Sequence, residues 1–155
     1  GFELIKNWNL RADSLNTSAA LSILTLPNAF KPENLKYDRD SITVKLGENM
    51  SYLKKQYGRI DVPLGRVVRL VRGATSLPLS GGPGTLRAIY SKKSGKNYKA
   101  VAGDCYIQAV EWGPEGQLNA WSIHQYGSAT MDKTSPHFDD QSKYFSKHEL
   151  KVIRP

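Results

Sequence analysis

Apolar side chains recur along residues 41–57 at the three- and four-residue spacing of a helix. The residues on this stripe are Ile42, Leu46, Met50, Leu53 and Tyr57. Such spacing places them on one helical face. Gly58 follows, and glycine in that position commonly ends a helix. The pattern therefore predicts a helix from Ser41 to Tyr57.

Two shorter helices are predicted before this one. Residues 2–8 have apolar side chains four positions apart, which indicates the end of a helix. A second helix is predicted from Ala19 to Pro27, with Ser14 or Asn16 available to cap its first turn. The polar residues 28–40 are predicted to form a loop.

After Gly58 the pattern changes to β-branched and aromatic residues separated by Gly and Pro, which is typical of strands and turns. Strands are predicted at residues 66–72, 85–90, 105–112 and 118–125, with a turn around Pro63 and a loop at 77–84. Residues 91–99 are predicted to form a basic, hairpin-like loop that contains Ser94-Gly95. The last two strands are joined by a link that contains Gly113-Pro114-Glu115-Gly116, which predicts a β-hairpin. Arginines at every third position of 66–72 would also suit one face of a helix. Helices followed by antiparallel strands indicate the α+β class.

The stretch from Gly127 to Phe145 follows the last predicted strand and is the most informative part of the sequence. It is predicted to cross a polar loop and enter a short helix over 138–145, with Asp139 and Asp140 in the first turn, where negative charge suits the helix dipole. We expect a structural clamp that returns the C-terminus to a sheet. Its residues are Ser135, Pro136, His137, Asp139 and Gln141.

Composition fits a globular chain. The chain has 155 residues, of which 39% are apolar. We expect a single unit over 1–155, mainly helical over 1–57, with strands and a short C-terminal helix over 58–155. No apolar run approaches the roughly 20 residues of a membrane span.

Positive charge is concentrated in the middle of the chain. The net charge is +8, and residues 31–99 hold 15 Lys or Arg against 5 Asp or Glu. A solvated face, or a surface that meets an acidic partner chain, explains this better than a nucleic-acid footprint, because no recognition module accompanies the charge.

Several residues that resemble catalytic or binding motifs lack the pattern that their chemistry needs. Residues 81–85, Gly-Gly-Pro-Gly-Thr, lack the GxxxxGK[ST] spacing of a phosphate loop, so a tight turn is expected. The serines at 80, 94 and 135 lack the context of a nucleophile elbow. The adjacent carboxylates Asp139 and Asp140 would diverge on a helix, whereas paired acid catalysis needs both to face one bond.

Metal and thiol chemistry are also not expected. The histidines His124, His137 and His148 have no ligand spacing, and we expect structural or surface roles for them. Cys105, the single cysteine, is flanked by an apolar strand and is expected to be buried and inert.

The motif Gly127-Ser128, followed by Ser135-Pro136-His137-Phe138-Asp139-Asp140-Gln141, resembles the C-terminal signature of the penicillin acylase family. The nearest branch is that of the acyl-homoserine-lactone and cyclic-lipopeptide acylases. Weaker similarity extends over most of the chain, including residues 4–21, 57–66, 77–89 and 103–111. Cys105, Leu64 and residues 27–49 depart from the family pattern.

The resemblance implies a fragment of an αββα sandwich of the N-terminal-nucleophile hydrolases. A precursor of that family cleaves itself into two chains, and a serine at the new N-terminus of the large chain attacks the amide. Its free α-amine acts as base, since its pKa lies near 8. Gly1 has no side-chain nucleophile, so we expect no catalytic residue in these 155 residues.

The expectation is therefore the C-terminal part of an amidohydrolase that releases an acyl chain from a lactone, lactam or lipopeptide amine. Its partners would be the small chain and the N-terminal part of the large chain, and it would need no metal or cofactor. The resemblance implies export to the periplasm or medium and a role in antibiotic biosynthesis or quorum-signal degradation. Two alternatives are a basic module that binds nucleic acid or an anionic surface, and a non-catalytic, domain-swapped fragment that forms a homodimer.

Overall fold

The computed structural model describes residues 1–26 and 39–154. Its helices are α1 (Phe2–Lys6), α2 (Ala19–Thr25), α3 (Arg39–Tyr57), α4 (Leu64–Val67) and α5 (Ser142–Lys147). Its strands are β1 (Val68–Arg72), β2 (Thr75–Pro78), β3 (Ile89–Ser94), β4 (Asn97–Gly103), β5 (Tyr106–Trp112), β6 (Leu118–His124) and β7 (Lys151–Val152). The predicted α+β class is confirmed.

The strands form two open sheets. The first has the order β2-β1-β4-β3, in which β1 and β4 are parallel and β3 and β4 are antiparallel. The second has the order β5-β6-β7 and is antiparallel throughout. By their contacts, residues 1–69 and 78–103 form one compact unit, and residues 70–77 and 104 onward form a second.

The first unit has its core around α2. Ala19, Ala20 and Leu21 are fully buried there, and Leu53 of α3 is as well. Asn16 caps this helix, because its Oδ1 accepts the backbone N–H groups of Ser18 and Ala19 at 2.9 and 3.0 Å. Of the two predicted caps, Asn16 therefore has the role.

The long predicted helix is confirmed as α3. The predicted apolar stripe lies on its less exposed side, and Gly58 ends it with a φ of +78° while donating its N–H to the Lys54 carbonyl at 2.9 Å. Residues 28–38 of the predicted loop lie outside the described residues. Arg39 and Asp40 are helical, so the loop prediction was wrong for them.

The strand predicted at 66–72 begins two residues late, because Arg66 belongs to the helical turn α4. That turn is stabilised from outside: the N–H groups of Leu64 and Gly65 donate to the carbonyls of Asn16 and Ser14 at 3.0 and 2.8 Å. The first N–H groups of a helix have no acceptor within the helix, so these two hydrogen bonds favour a helix over a strand at this point.

The strand prediction was also wrong for residues 85–88. Residues 85–88 form a turn, in which Arg87 has a φ of +60°, and β3 starts only at Ile89. The basic, hairpin-like loop expected at 91–99 is a regular β-hairpin whose arms are β3 and β4, with the turn at Gly95 as predicted. Lysine has low strand propensity, but cross-strand pairing outweighs it here. Leu77 and Pro78, expected in a loop, end β2.

The second unit contains the predicted hairpin of β5 and β6, which is confirmed with a register from Tyr106–His124 to Trp112–Leu118. Ile123 and Phe145 are buried in its core. None of the helices in the described part of the chain has the length and apolar content that crossing a bilayer requires.

Candidate functional site

The clamp segment Ser135–Gln141 docks on the end of β6 and on the residues that follow it. Gln141 accepts the backbone N–H of His124 at its Oε1, at 3.2 Å, and its own N–H donates to the Tyr126 carbonyl at 2.8 Å. Ser142 Oγ donates to the Gln125 carbonyl at 2.9 Å. After α5 the chain returns to the sheet, where β7 pairs with β6.

The helix in this segment starts at Ser142, four residues later than predicted, so Asp139 and Asp140 do not lie in its first turn. The backbone explains the correction. An α-helix from Phe138 would join the N–H of Gln141 to the carbonyl of His137. Both groups are used elsewhere, because His137 accepts from Ala129 at 3.1 Å and Gln141 donates to Tyr126.

The tip of the β1–β2 hairpin reaches the clamp. The Arg72 guanidinium lies 4.6 Å from the ring centroid of Tyr126 and 4.1 Å from that of Phe138, a cation–π arrangement on two rings. Arg72 also donates to the Thr130 carbonyl, and the Thr75 hydroxyl donates to Asp139. Asp139 therefore holds the hairpin, where a helix-dipole role was predicted.

Three residues of this site were not predicted from the sequence: Arg72, Thr75 and Tyr126. Arg72 precedes the clamp by more than sixty positions and stood out only as one arginine in a basic strand. Tyr126 directly precedes the recognised Gly127-Ser128 motif, which was the available signal. The contacts that join them to the clamp are tertiary, and no spacing in the sequence encodes them.

The clamp contains a histidine–aspartate pair. His137 Nδ1 lies 3.0 Å from Asp140 Oδ2, and the His137 side chain is 62% exposed. Ser135 Oγ accepts the backbone N–H of His137 at 3.1 Å. A nucleophilic triad needs the serine hydroxyl on the other ring nitrogen of the histidine. In the described structure Ser135 instead fixes the local turn.

The glycine-rich loop at 81–85 is a packed turn, as predicted. Gly81 donates its N–H to the Ala12 carbonyl at 2.6 Å, and Gly82 donates to Thr85 Oγ1 at 2.8 Å. A Cβ on Gly82 would lie 2.9 Å from Ile23 Cδ1. Because both N–H groups are engaged internally, they are not free to cradle a phosphate.

The cysteine prediction was wrong. Cys105 is exposed and lies just before β5, so its thiol is not buried in the strand. The strand starts one residue later than predicted, and its first residue, Tyr106, is also exposed. The apolar residues that follow Cys105 in the sequence do not bury its thiol, because this part of the hairpin presents apolar side chains to solvent.

The three histidines occupy separate places. His124 packs its ring 4.8 Å from that of Tyr106, His137 contacts Asp140, and His148 ends α5 with a φ of +64°. Within residues 1–26 and 39–154, no group of three or more His, Cys, Asp or Glu side chains could hold a metal ion.

A tyrosine cluster in the first unit joins α3 to the tip of the β3–β4 hairpin. The hydroxyls of Tyr52 and Tyr57 contact the Lys96 carbonyl at 2.8 and 2.6 Å. Tyr52 also meets the Tyr98 ring edge-on, at 5.7 Å. Desolvation in this cluster, together with Tyr57, raises the pKa of Tyr52 well above its ordinary value of 10.0. Burial likewise raises the pKa of Tyr98.

A family model described as penicillin amidase matches residues 3–154. The match spans both compact units and includes the signature from Gly127 to Gln141. The chain therefore belongs to the penicillin amidase family.

Proposed function

We propose that these residues form the C-terminal scaffold of an enzyme that hydrolyses N-acyl amides through a serine nucleophile outside this chain. Family membership supports acylase-type hydrolysis. The observation that carries the scaffold role is the clamp itself, whose polar groups bind backbone and neighbouring elements. Ser135 Oγ bonds to an amide of its own turn, and Gln141 Oε1 bonds to β6.

The clamp positions neighbouring elements of the fold and does not react with the substrate. It fixes the final strand β7 beside β6 and holds the hairpin tip through Arg72 and Asp139. A serine nucleophile, the α-amine that acts as its base and the oxyanion donors work only when held within a fraction of an ångström of the productive geometry. A locked sheet is the contribution that these residues would make to that geometry.

The second sheet offers a surface for the rest of the enzyme. Trp112 and Leu118 are directly paired and therefore share one face, on which they are 73% and 62% exposed. Tyr106 and Val110 lie on the same face and are also exposed. Contiguous exposed apolar surface marks interaction sites. We propose that the remaining chains of the acylase cover this face.

The substrate class in this proposal is an amide between an acyl chain and an amine of a lactone, lactam or lipopeptide. The motif from Gly127 to Gln141 supports the acyl-homoserine-lactone and cyclic-lipopeptide branch. The enzyme would act in the periplasm or outside the cell, as is common in the family.

An active-site-directed probe tests the position of the nucleophile. The assembled enzyme is treated with an acyl phosphonate that labels activated serines, and the labelled peptide is identified by mass spectrometry. The proposal predicts a label on an N-terminal serine outside residues 1–155. Stoichiometric labelling of Ser135, or of another residue in this chain, would overturn it.

A further inference from the structure

Three cationic residues lie in register across neighbouring strands of the first unit. Arg69 of β1 pairs with Lys99 of β4, and Lys99 pairs with Lys92 of β3. Directly paired residues project to the same face of a sheet. The three therefore form a row, here called the cationic row, whose ends lie about 10 Å apart at the usual strand spacing.

The cationic row lies on the face of the sheet opposite to the one that contacts Tyr52 of α3, and the hydroxyl of Tyr57 of α3 reaches Asn97 beside the row. The adjacent paired positions, Val68, Tyr98 and Lys93, project to the opposite face, where Val68 is 3% exposed and the Lys93 ammonium lies 5.0 Å from the Tyr52 ring centroid. On the row itself Lys92 and Lys99 are exposed. Arg69 is half-buried and donates to the Gly65 carbonyl at 2.8 Å, which fixes one end of the row.

The row places like charges directly opposite each other, an arrangement that destabilises a sheet. In the part of the chain that the structure describes, no salt bridge joins Lys92 or Lys99 to a carboxylate. Residues 31–99 as a whole hold three times as many basic as acidic residues, 15 against 5. A ligand with negative charges in matching positions would remove the repulsion.

We propose that the cationic row is a docking surface for an acidic helix of another polypeptide, which carries carboxylates at positions i, i+4 and i+7. These positions lie on one stripe and span about 10.5 Å at 1.5 Å per residue. The row spans about 10 Å. Three carboxylates on one side of an extended strand would span about 13 Å, which fits less well.

The neighbouring side chains on the same face favour a protein over single-stranded nucleic acid. The next paired residues toward the hairpin turn are Ser94 and Asn97. Proteins that bind single strands stack the bases on aromatic side chains, and neither residue provides such a platform. The inference concerns a surface of the first unit and does not depend on the proposed hydrolytic function.

A peptide titration tests the proposal on the 155-residue chain. The probe is a fluorescent, alanine-rich helical peptide with glutamates at i, i+4 and i+7, and its control is an isomer with the same glutamates spread around the helix. The variant Lys92→Gln/Lys99→Gln removes both charges and keeps polar side chains of nearly the same length. The matched control is Lys54→Gln/Lys55→Gln, two exposed lysines in the last turn of α3.

At low salt the striped peptide should bind the wild type more tightly than its isomer. The Lys92/Lys99 variant should weaken binding about tenfold, which corresponds to the loss of two exposed ion pairs. The Lys54/Lys55 control variant should change the affinity for the striped peptide less than about twofold. The Lys92/Lys99 variant should unfold at the same or a higher temperature than the wild type, since repulsion is relieved.

Three results would overturn the proposal. Undetectable binding of the striped peptide at low salt removes the docking surface. Equal weakening in both variants, or equal affinity for both peptides, shows attraction by net charge alone. Tighter binding of a single-stranded oligonucleotide of equal charge, lost in the Lys92/Lys99 variant, assigns the row to nucleic acid.

Discussion

The backbone of Gly127 lies directly against the carbonyl of His137, so a Cβ at position 127 would overlap that oxygen and meet Asp140 Oδ1. The hydrogen bonds from Ala129 to His137 and from Gln141 to Tyr126 hold the two segments at this distance. Gly127 and His137 belong to the two halves of the motif that resembles the family's C-terminal signature. The signature therefore encodes a close backbone approach that only glycine permits.

The first prediction concerns Gly127→Ala, which should lower the free energy of unfolding by about 1–3 kcal/mol through overpacking. Chemical denaturation measures the loss. Gly47→Ala is the matched control, because a Cβ there meets nothing within 4 Å and position 47 is inside α3. That control should be stabilised by about 0.5–1 kcal/mol. An unchanged stability of Gly127→Ala would contradict the close approach.

The second prediction concerns the arginine between two rings. Arg72→Lys keeps the charge but loses the planar group that stacks on Tyr126 and Phe138. We expect a loss of about 1 kcal/mol in the free energy of unfolding. Arg59→Lys, in an exposed ion pair with Asp61, should lower the stability clearly less, because solvent screens exposed ion pairs. If the two variants are equally stable, the stacking contributes nothing.

The third prediction is a dependence of stability on pH. Burial raises the pKa of Tyr52 above its unfolded value of 10.0, so its contribution is complete below pH 10 and is lost as the pH rises above 10. Tyr52→Phe should lose about 1 kcal/mol at neutral pH with its hydrogen bond to Lys96. Its stability should then decline less steeply than that of the wild type above pH 10.

Denaturation series from neutral to alkaline pH provide that measurement. In Tyr52→Phe, the decline of the free energy of unfolding above pH 10 should be reduced but not abolished, because burial also raises the pKa of Tyr98. Tyr90→Phe, at a position 45% exposed, should follow the wild type. A steeper alkaline decline in Tyr52→Phe than in the wild type would contradict the assignment.

The fourth prediction concerns the exposed face of the second sheet. Trp112→Ser/Leu118→Ser should reduce the binding of a hydrophobic dye by the isolated chain and weaken its assembly with the rest of the acylase. Val152→Ser is the control, since Val152 is 62% exposed but pairs with Trp121, on the opposite face. Pull-down of the remaining chains compares the variants. Equal assembly by both would place the interface elsewhere.

The sequence predicted the elements whose structure is set by hydrophobic periodicity and turn residues. Helix α3 follows from its apolar stripe, and the β5–β6 hairpin follows from two strands and a glycine-containing link. The glycine loop at 81–85 was predicted as a turn because the residues of a phosphate site are missing. In these cases the periodicity and the turn residues agree with the tertiary structure.

Tertiary hydrogen bonds decided the elements that sequence could not predict. The clamp helix starts at Ser142 because the amide and carbonyl that would begin it earlier bond to residues 126 and 129. Asp139 contacts Thr75, which is 64 positions away. Cys105 is exposed because the hairpin that it precedes has an apolar face open to solvent.

Hydrolysis by the 155-residue chain decides whether these residues are a scaffold without a nucleophile of their own. The purified chain, shown to be folded by circular dichroism, is incubated with chromogenic N-acyl anilides of short and long acyl chains, alone and then after assembly with the remaining acylase chains. If these residues are such a scaffold, we expect no turnover above background by the chain alone and turnover by the assembly. Turnover by the chain alone would contradict the scaffold role.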